Sequence, residues 1–206
     1  MSPHGYGLCW AGDIAVIEDG LARVCMRFQD ARPLRLVEIG VDTGATARAM
    51  AAFVRARHDA LEYHGIDPRP IPPPFPGAQM HHGDSAELYA RIPAPVHFLL
   101  IDGCHCINHV MLDFLHYGAL TVPGAVVVFH DTSARPNIDD YQGHGPRTHP
   151  DFGMAVRAGL AKLGVWPLRL PGWRALAEAP GAPNQNGMGV VALERTDAPG
   201  VPPGWT

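Results

Sequence analysis

The chain reads as an α/β protein, a doubly wound sheet with helices on both faces, and three observations predict this. Short apolar runs of strand length alternate with segments of helical periodicity. The runs around residues 96–101 and 125–129 are continuously apolar apart from His97 rather than alternating, as strands covered on both faces require. The strands end in acids: Glu38, Asp67, Asp84, Asp102 and Asp131 stand at or just beyond successive strand ends. Ligands of such sheets bind outside the carboxyl ends of the strands, near the switch in strand order, so these acids mark the functional edge.

The elements follow in order. Ala11 to Phe28 is a helix, with Ile14, Ile17, Leu21 and Val24 at helical spacing. Arg35–Ile39 is the first strand, and Thr46–Arg57, rich in Ala and Arg with no internal breaker, is the next helix. Glu62–Ile66 is a second strand, ending at Asp67-Pro68. Residues 68–77, PRPIPPPFPG, cannot sustain a helix and read as an extended surface excursion rather than a pocket wall. A third strand near Ala78–His82 leads through Gly83-Asp84-Ser85 into a short helix ending at Arg91. Val96–Ile101 is the central strand, Ile107 to Ala119 a helix, and Ala125–Phe129 a buried strand after a Pro123-Gly124 turn. A polar loop at 132–150, a helix Phe152–Leu163 and two apolar segments, Val165–Leu170 and Met188–Leu193, complete the domain. Three regions result: an N-terminal helical segment (1–33), the sheet domain (34–195) and a Pro/Gly-rich flexible tail (196–206).

Composition bounds the function. Hydrophobic residues make up 47% of the 206 and charged ones 17%, with a net charge of −4 and no basic stripe, which argues against a nucleic-acid surface. The N-terminus lacks the basic and apolar regions of a signal peptide, and no apolar run approaches a membrane span. A cytoplasmic protein with no membrane partner is expected. Four cysteines form no disulfide framework, and Cys104-His105-Cys106 lacks the second pair that a structural zinc site needs.

The nine residues Leu36 to Gly44, LVEIGVDTG, carry the strongest local signal. An apolar strand ends in Glu38, and Gly40 and Gly44 bracket a turn into a helix. Such a turn lets backbone approach a ligand, and the helix start offers unpaired N–H groups. Glu38 and Asp67 suit a ribose-bearing ligand, because carboxylates accept hydrogen bonds from ribose hydroxyls. For Asp84, capping of the next helix and ligand contact are both open.

The segments LVEIGVDTGATA, YHGIDP, GDSAEL, FLLIDGCH and GAVVVFHDT, in this order and spacing, resemble class I S-adenosylmethionine-dependent methyltransferases. They are most similar to the small metal-dependent O-methyltransferase-like branch (methyltransferase family 24, cephalosporin hydroxylase-like), over residues 34–193. The resemblance implies a Rossmann-like sheet of seven strands, mostly parallel with an antiparallel C-terminal hairpin. It implies that Glu38, Gly40, Asp42, Thr43 and Gly44 form the methionine-side loop. It places Asp67 at the ribose, Asp84 and Ser85 by the adenine, and Asp102 beside the cofactor. Asp102 and Asp131 match acids that hold a divalent metal, magnesium or manganese, in metal-dependent relatives. His105 matches a general base, with Asp102 as its catalytic companion.

The implied reaction is O-methylation of a small-molecule hydroxyl. A metal held by carboxylates would lower the hydroxyl's pKa, and a neutral histidine can take the released proton. One departure bears on the metal. His130 stands where magnesium-binding relatives have an acid, and imidazole favours zinc, manganese or iron. Either His130 is not a ligand, or the metal differs, or there is none. A nicotinamide oxidoreductase is disfavoured, since the turn lacks the middle glycine of GxGxxG and no Tyr-x-x-x-Lys pair occurs. A metal-dependent hydroxylase or hydrolase using Asp102, His105, His130 and Asp131 is the enzymatic alternative. A non-catalytic S-adenosylmethionine-binding or assembly module is the other. The oligomeric state is open, with the N-terminal helix as the candidate dimer surface of a homo-oligomer.

Overall fold

A computed structural model describes residues 11–104, 107–132, 172–179 and 189–196. Seven strands make one sheet: β1 (Leu34–Ile39), β2 (Leu61–Asp67), β3 (Gln79–His82), β4 (Val96–Ile101), β5 (Thr121–His130), β6 (Trp173–Ala179) and β7 (Val190–Arg195). Their spatial order is β3-β2-β1-β4-β5-β7-β6. Strands β1 to β5 pair in parallel, and β7 runs antiparallel to both β5 and β6. The chain winds outward from β1 through β2 to β3, then returns to β4 on the other side of β1. The switch point therefore lies between β1 and β4, beside the glycine turn.

Each face of the sheet carries its own core. Leu34 and Leu36 of β1 point to one face, where they pack with Phe98, Val126 and Val128 under α1 (Ala11–Arg27) and α2 (Ala45–Arg55). Val37 and Ile39 point to the other face, with Leu99, Ile101, Val127 and Phe129 under α4 (Ile107–Ala119). All six residues of β1 and of β4 are buried, which explains why both strands are mainly apolar, with Arg35, Glu38 and His97 as their buried polar residues. Helix α1 puts Ile14, Ile17, Leu21 and Val24 into the first core, so its apolar stripe is covered by this chain's own sheet.

Three sequence expectations shift. Strand β5 begins at Thr121, four residues early, and runs through Pro123-Gly124 with an irregular register against β4. Proline is tolerated there because it stands at the strand's start. The hairpin strand preceding β7 is Trp173–Ala179, not Val165–Leu170. The latter, with Trp166, the loop at 133–150 and the helix expected at Phe152–Leu163, lies outside the described residues. The proline loop is not a mere surface excursion. Ile71 and Phe75 pack on the first core, Phe75 meets the Tyr63 ring edge-on at 5.2 Å, and Arg55 lies 4.7 Å over the Phe75 ring. Among the described residues no helix is long and apolar enough to cross a membrane.

Candidate active site

The glycine turn and the ends of β2 and β4 form one hydrogen-bonded unit. The Gly40 amide donates to the Ile66 carbonyl at 2.8 Å, and the Asp102 amide to the Ile39 carbonyl at 2.9 Å. Gly40 has φ +87°, and a Cβ there would lie 2.0 Å from the Asp102 carbonyl oxygen. Only glycine fits, since the obstructing atom is backbone. At Gly44 (φ +71°) a Cβ would approach Pro74 to 2.6 Å, so the proline loop lies directly on the turn. Gly44 is the N-cap of α2 and makes no side-chain cap, which leaves the first-turn amides of that helix to other partners.

Asp67 fixes the turn from the next strand. Its side chain is 3% exposed. Its Oδ2 accepts the Asp42 amide at 2.9 Å, holding Asp42 at φ +48°, and its Oδ1 accepts the Arg69 amide at 2.9 Å. Arg69 adds two guanidinium donors, Nε to Oδ1 at 3.1 Å and Nη2 to Oδ2 at 3.4 Å, and bridges to Asp42 Oδ1 at 2.8 Å. Burial pushes the Asp67 carboxyl up, but these hydrogen bonds outweigh it and hold the group below its ordinary value. Thr43 is exposed on the same turn, beside the buried Gly44.

Glu38 lies beneath the turn on the α1/α2 face, 1% exposed. Tyr63 donates to its Oε2 at 2.5 Å, and among the described residues its Oε1 has no hydrogen-bond partner. Burial pushes this carboxyl up from 4.5 to about 8; the Tyr63 hydrogen bond opposes the rise, and the charges of Asp102 and Asp67 add to it. Glu38 is therefore protonated at neutral pH.

Asp84 caps the short helix α3 (Ser85–Leu88), its Oδ1 accepting the Ala86 amide at 2.9 Å, while Oδ2 faces His109 Nε2 at 3.4 Å. The Gly83 amide donates to the Asp67 carbonyl at 3.2 Å, which sets Asp84 and Ser85 next to the Asp67 strand end. The capping role expected for Asp84 is thus present, and its second oxygen faces His109.

Beside this patch, His130 gathers acids. Its Nδ1 donates to Asp102 Oδ1 at 3.1 Å and lies 3.5 Å from Asp131 Oδ1. Its Nε2 lies 3.6 Å from Asp13 Oδ2, a charge contact longer than a hydrogen bond. Burial lowers the imidazole's pKa, but Asp102 and Asp131 by charge, with the contacts to Asp102 and Asp13, outweigh it and hold His130 well above its ordinary value. One ligand atom from each of Asp102, His130 and Asp131 lies within 4.8 Å of the other two. Asp131, 3% exposed, takes a left-handed backbone (φ +57°), uncommon for a residue with a side chain.

Residues 37–132 match a family described as a methyltransferase domain. The glycine turn, Asp67, Asp84, Asp102 and Asp131 all fall inside the matched stretch, while α1 and the hairpin of β6 and β7 fall outside it. Solved structures share the fold. Cofactor-bound Rv0187 from MTB is 14% identical, with 91% of this chain and 88% of that one covered and a TM-score of 0.60. The O-methyltransferase TomG from Streptomyces achromogenes, in complex with SAM, is 18% identical over 86% and 79%, with a TM-score of 0.57. The methyltransferase MycE of the mycinamycin biosynthetic pathway, in complex with Mg, SAH and mycinamycin VI, is 21% identical, with a TM-score of 0.53. In that pair 86% of this chain matches 50% of MycE. A search of curated proteins by sequence gives no match.

The structure thus joins Glu38, Gly40, Asp42, Thr43, Gly44, Asp67, Asp84, Ser85 and Asp102 along one edge of the sheet. It joins Asp102, His130 and Asp131 beside them. His105 lies outside the described residues. Sequence reasoning missed three contributors. Asp13 is 1% exposed on α1, one helical turn before Ile17, so an acid on an apolar stripe was its signal. Tyr63 alternates with its neighbours toward Glu38, which strand periodicity could have suggested. Arg69 sits inside a run dominated by proline and gave no signal.

Proposed function

We propose that this protein transfers a methyl group from S-adenosylmethionine to the oxygen of a small-molecule hydroxyl. The observation that carries the reading is Asp67, a buried strand-end carboxylate hydrogen-bonded to the amide of Asp42 in a glycine turn at the β1/β4 switch. A ribose-bearing ligand needs that pairing of an acid with closely approaching backbone. The methyltransferase match, and the SAM and SAH bound in TomG and MycE, support the choice of nucleoside.

In this reading the first-turn amides of α2 and the turn of Asp42, Thr43 and Gly44 take the methionine carboxylate, as helix N-termini favour anions. Glu38, with a buried oxygen that has no partner among the described residues, faces the cofactor's ammonium. Asp67 takes the ribose hydroxyls, and Asp84 and Ser85 flank the adenine. The cofactor supplies an electrophilic methyl on a sulfonium. The acceptor oxygen forms the new C–O bond as the C–S bond breaks, its electron pair staying on sulfur, and the hydroxyl proton passes to a base. We assign that role to His105, with Asp102 orienting the acceptor.

The residues present also fit a divalent metal. Asp102 and Asp131 offer oxygens and His130 offers Nδ1, while Asp13 faces the other ring nitrogen, as carboxylates do behind metal-bound imidazoles. Three carboxylates, of Asp13, Asp102 and Asp131, surround the one imidazole. A mixed nitrogen and oxygen set suits manganese, zinc or iron better than magnesium. A cation there would lower the acceptor hydroxyl's pKa and orient it.

A cytoplasmic enzyme acting without nucleic acid or membrane fits the charge of −4. The test is calorimetric titration with S-adenosylhomocysteine and with NAD. S-adenosylhomocysteine should bind the wild type and fail to bind Asp67→Ala; binding of NAD alone would refute the reading. A hydroxyl-compound screen for S-adenosylhomocysteine release then identifies the acceptor.

A further inference from the structure

The carboxylate of Asp67 has about four acceptor positions, and four donors reach it. Two are backbone amides, of Asp42 and Arg69, fixed by the turn and by the chain itself. The other two are Nε and Nη2 of Arg69, one on each oxygen. The guanidinium thus holds the carboxylate in a forked, two-point contact. A ribose presents two neighbouring hydroxyls, and it also engages a carboxylate at two points. The two cannot share the same acceptor positions.

We propose that Arg69 is a latch on the nucleoside site: its side chain occupies the positions on Asp67 that ribose hydroxyls use, and must leave when the ligand binds. This rests on the reading of Asp67 as the ribose acid. The exchange is one for one. Both backbone amides stay, so the turn keeps its shape, and only two side-chain donors are traded for two hydroxyls. Arg69 can leave cheaply, being 58% exposed, and its second anchor lies outside the exchange: Asp42 Oδ1 at 2.8 Å, on a side chain 60% exposed. The released guanidinium therefore pivots on Asp42 rather than losing both partners. Asp67, 3% exposed, has no such freedom and would otherwise wait as a nearly buried, half-satisfied anion. The latch keeps it ionised and correctly placed while the site is empty, and lowers ligand affinity by the cost of its own displacement.

The experiment titrates S-adenosylhomocysteine into wild type, Arg69→Met and Arg69→Lys by calorimetry, with association rates by stopped flow. Arg69→Met keeps the aliphatic stem and removes the fork; it should bind about 3- to 10-fold more tightly, the range expected for an exposed ion pair strengthened by two-point geometry. Arg69→Lys, a single-point donor, should fall between the two. The gain should appear in the association rate and shrink as salt is raised. Unchanged or weaker binding by Arg69→Met, with wild type binding normally, overturns the latch and leaves the cofactor reading standing. Absence of binding by both proteins overturns both. A third arm is independent of ligand: in Arg69→Met the Asp67 carboxyl, followed by carbon-13 NMR, should titrate at higher pH than in wild type. An unmoved titration overturns the latch even where the affinity changes.

Discussion

Replacing Glu38 by Gln should flatten the pH dependence of stability, and the size of the effect follows from the burial of one carboxyl. In the folded protein this group titrates near 8, against an ordinary value of 4.5. Below about pH 4.5 it is protonated in both folded and unfolded chains and contributes no pH dependence. Between 4.5 and 8 the unfolded chain has released the proton and the folded protein has kept it. The folded state then binds more protons, so stability falls as pH rises through that window and levels off above it. At ~1.4 kcal/mol per pH unit the full loss is about 5 kcal/mol, and water entering around the ionised carboxylate reduces what is measured to roughly 2–5 kcal/mol. Gln keeps an acceptor for the Tyr63 hydroxyl at nearly unchanged volume and cannot ionise. Urea unfolding of both proteins at a series of pH values from about 5 to about 8.5 measures the difference. The two should be close in stability at the acid end, with Glu38→Gln gaining steadily toward the alkaline end. Parallel curves would show that Glu38 ionises normally and that the buried carboxyl has been misread.

Two other outcomes are expected. Gly40→Ala should abolish ligand binding and destabilise the protein by several kcal/mol, because its Cβ would collide with the Asp102 carbonyl at a positive φ; wild-type thermal stability in that variant would refute the close approach. Asp13→Asn should weaken manganese binding about 10- to 100-fold if Asp13 orients His130 as a ligand, and because His130 must lose its proton to bind metal, affinity should rise with pH. Manganese titrations followed by electron paramagnetic resonance report this without turnover, and equal affinities in the two proteins would remove Asp13 from the site.

The parts of this molecule that sequence revealed are those whose reasons lie within a few residues. Strand β4 is legible because a strand buried on both faces is mainly apolar, and only His97, which accepts the Arg35 amide, breaks its run. The turn is legible because Gly40 and Gly44 are required by contacts so close that no other residue fits. Strand β6 escaped for the converse reason. It lies at the edge of the described sheet, pairs among the described residues with β7 alone and is partly exposed along its length, so WRALAEA carries no apolar run to mark it.

The site shows the same division. Asp67 and Asp102 announce themselves by ending strands, yet what each does is set by partners from distant segments. Asp102 meets an imidazole from the end of β5, which itself meets an acid from α1. That last contact changes the meaning of the N-terminal helix. By periodicity α1 is a cover for the sheet, and Ile14, Ile17 and Leu21 do cover it. Asp13 on the same buried side is an acid that packing alone would exclude, since a buried carboxylate is costly without a partner. Its presence is explained by His130, and His130 in turn by Asp102 and Asp131. The helix is thus tied to the Asp102, His130 and Asp131 cluster by charge as well as to the sheet by apolar packing. Motif spacing could not show this, because Asp13 lies outside the stretch that matches the methyltransferase domain.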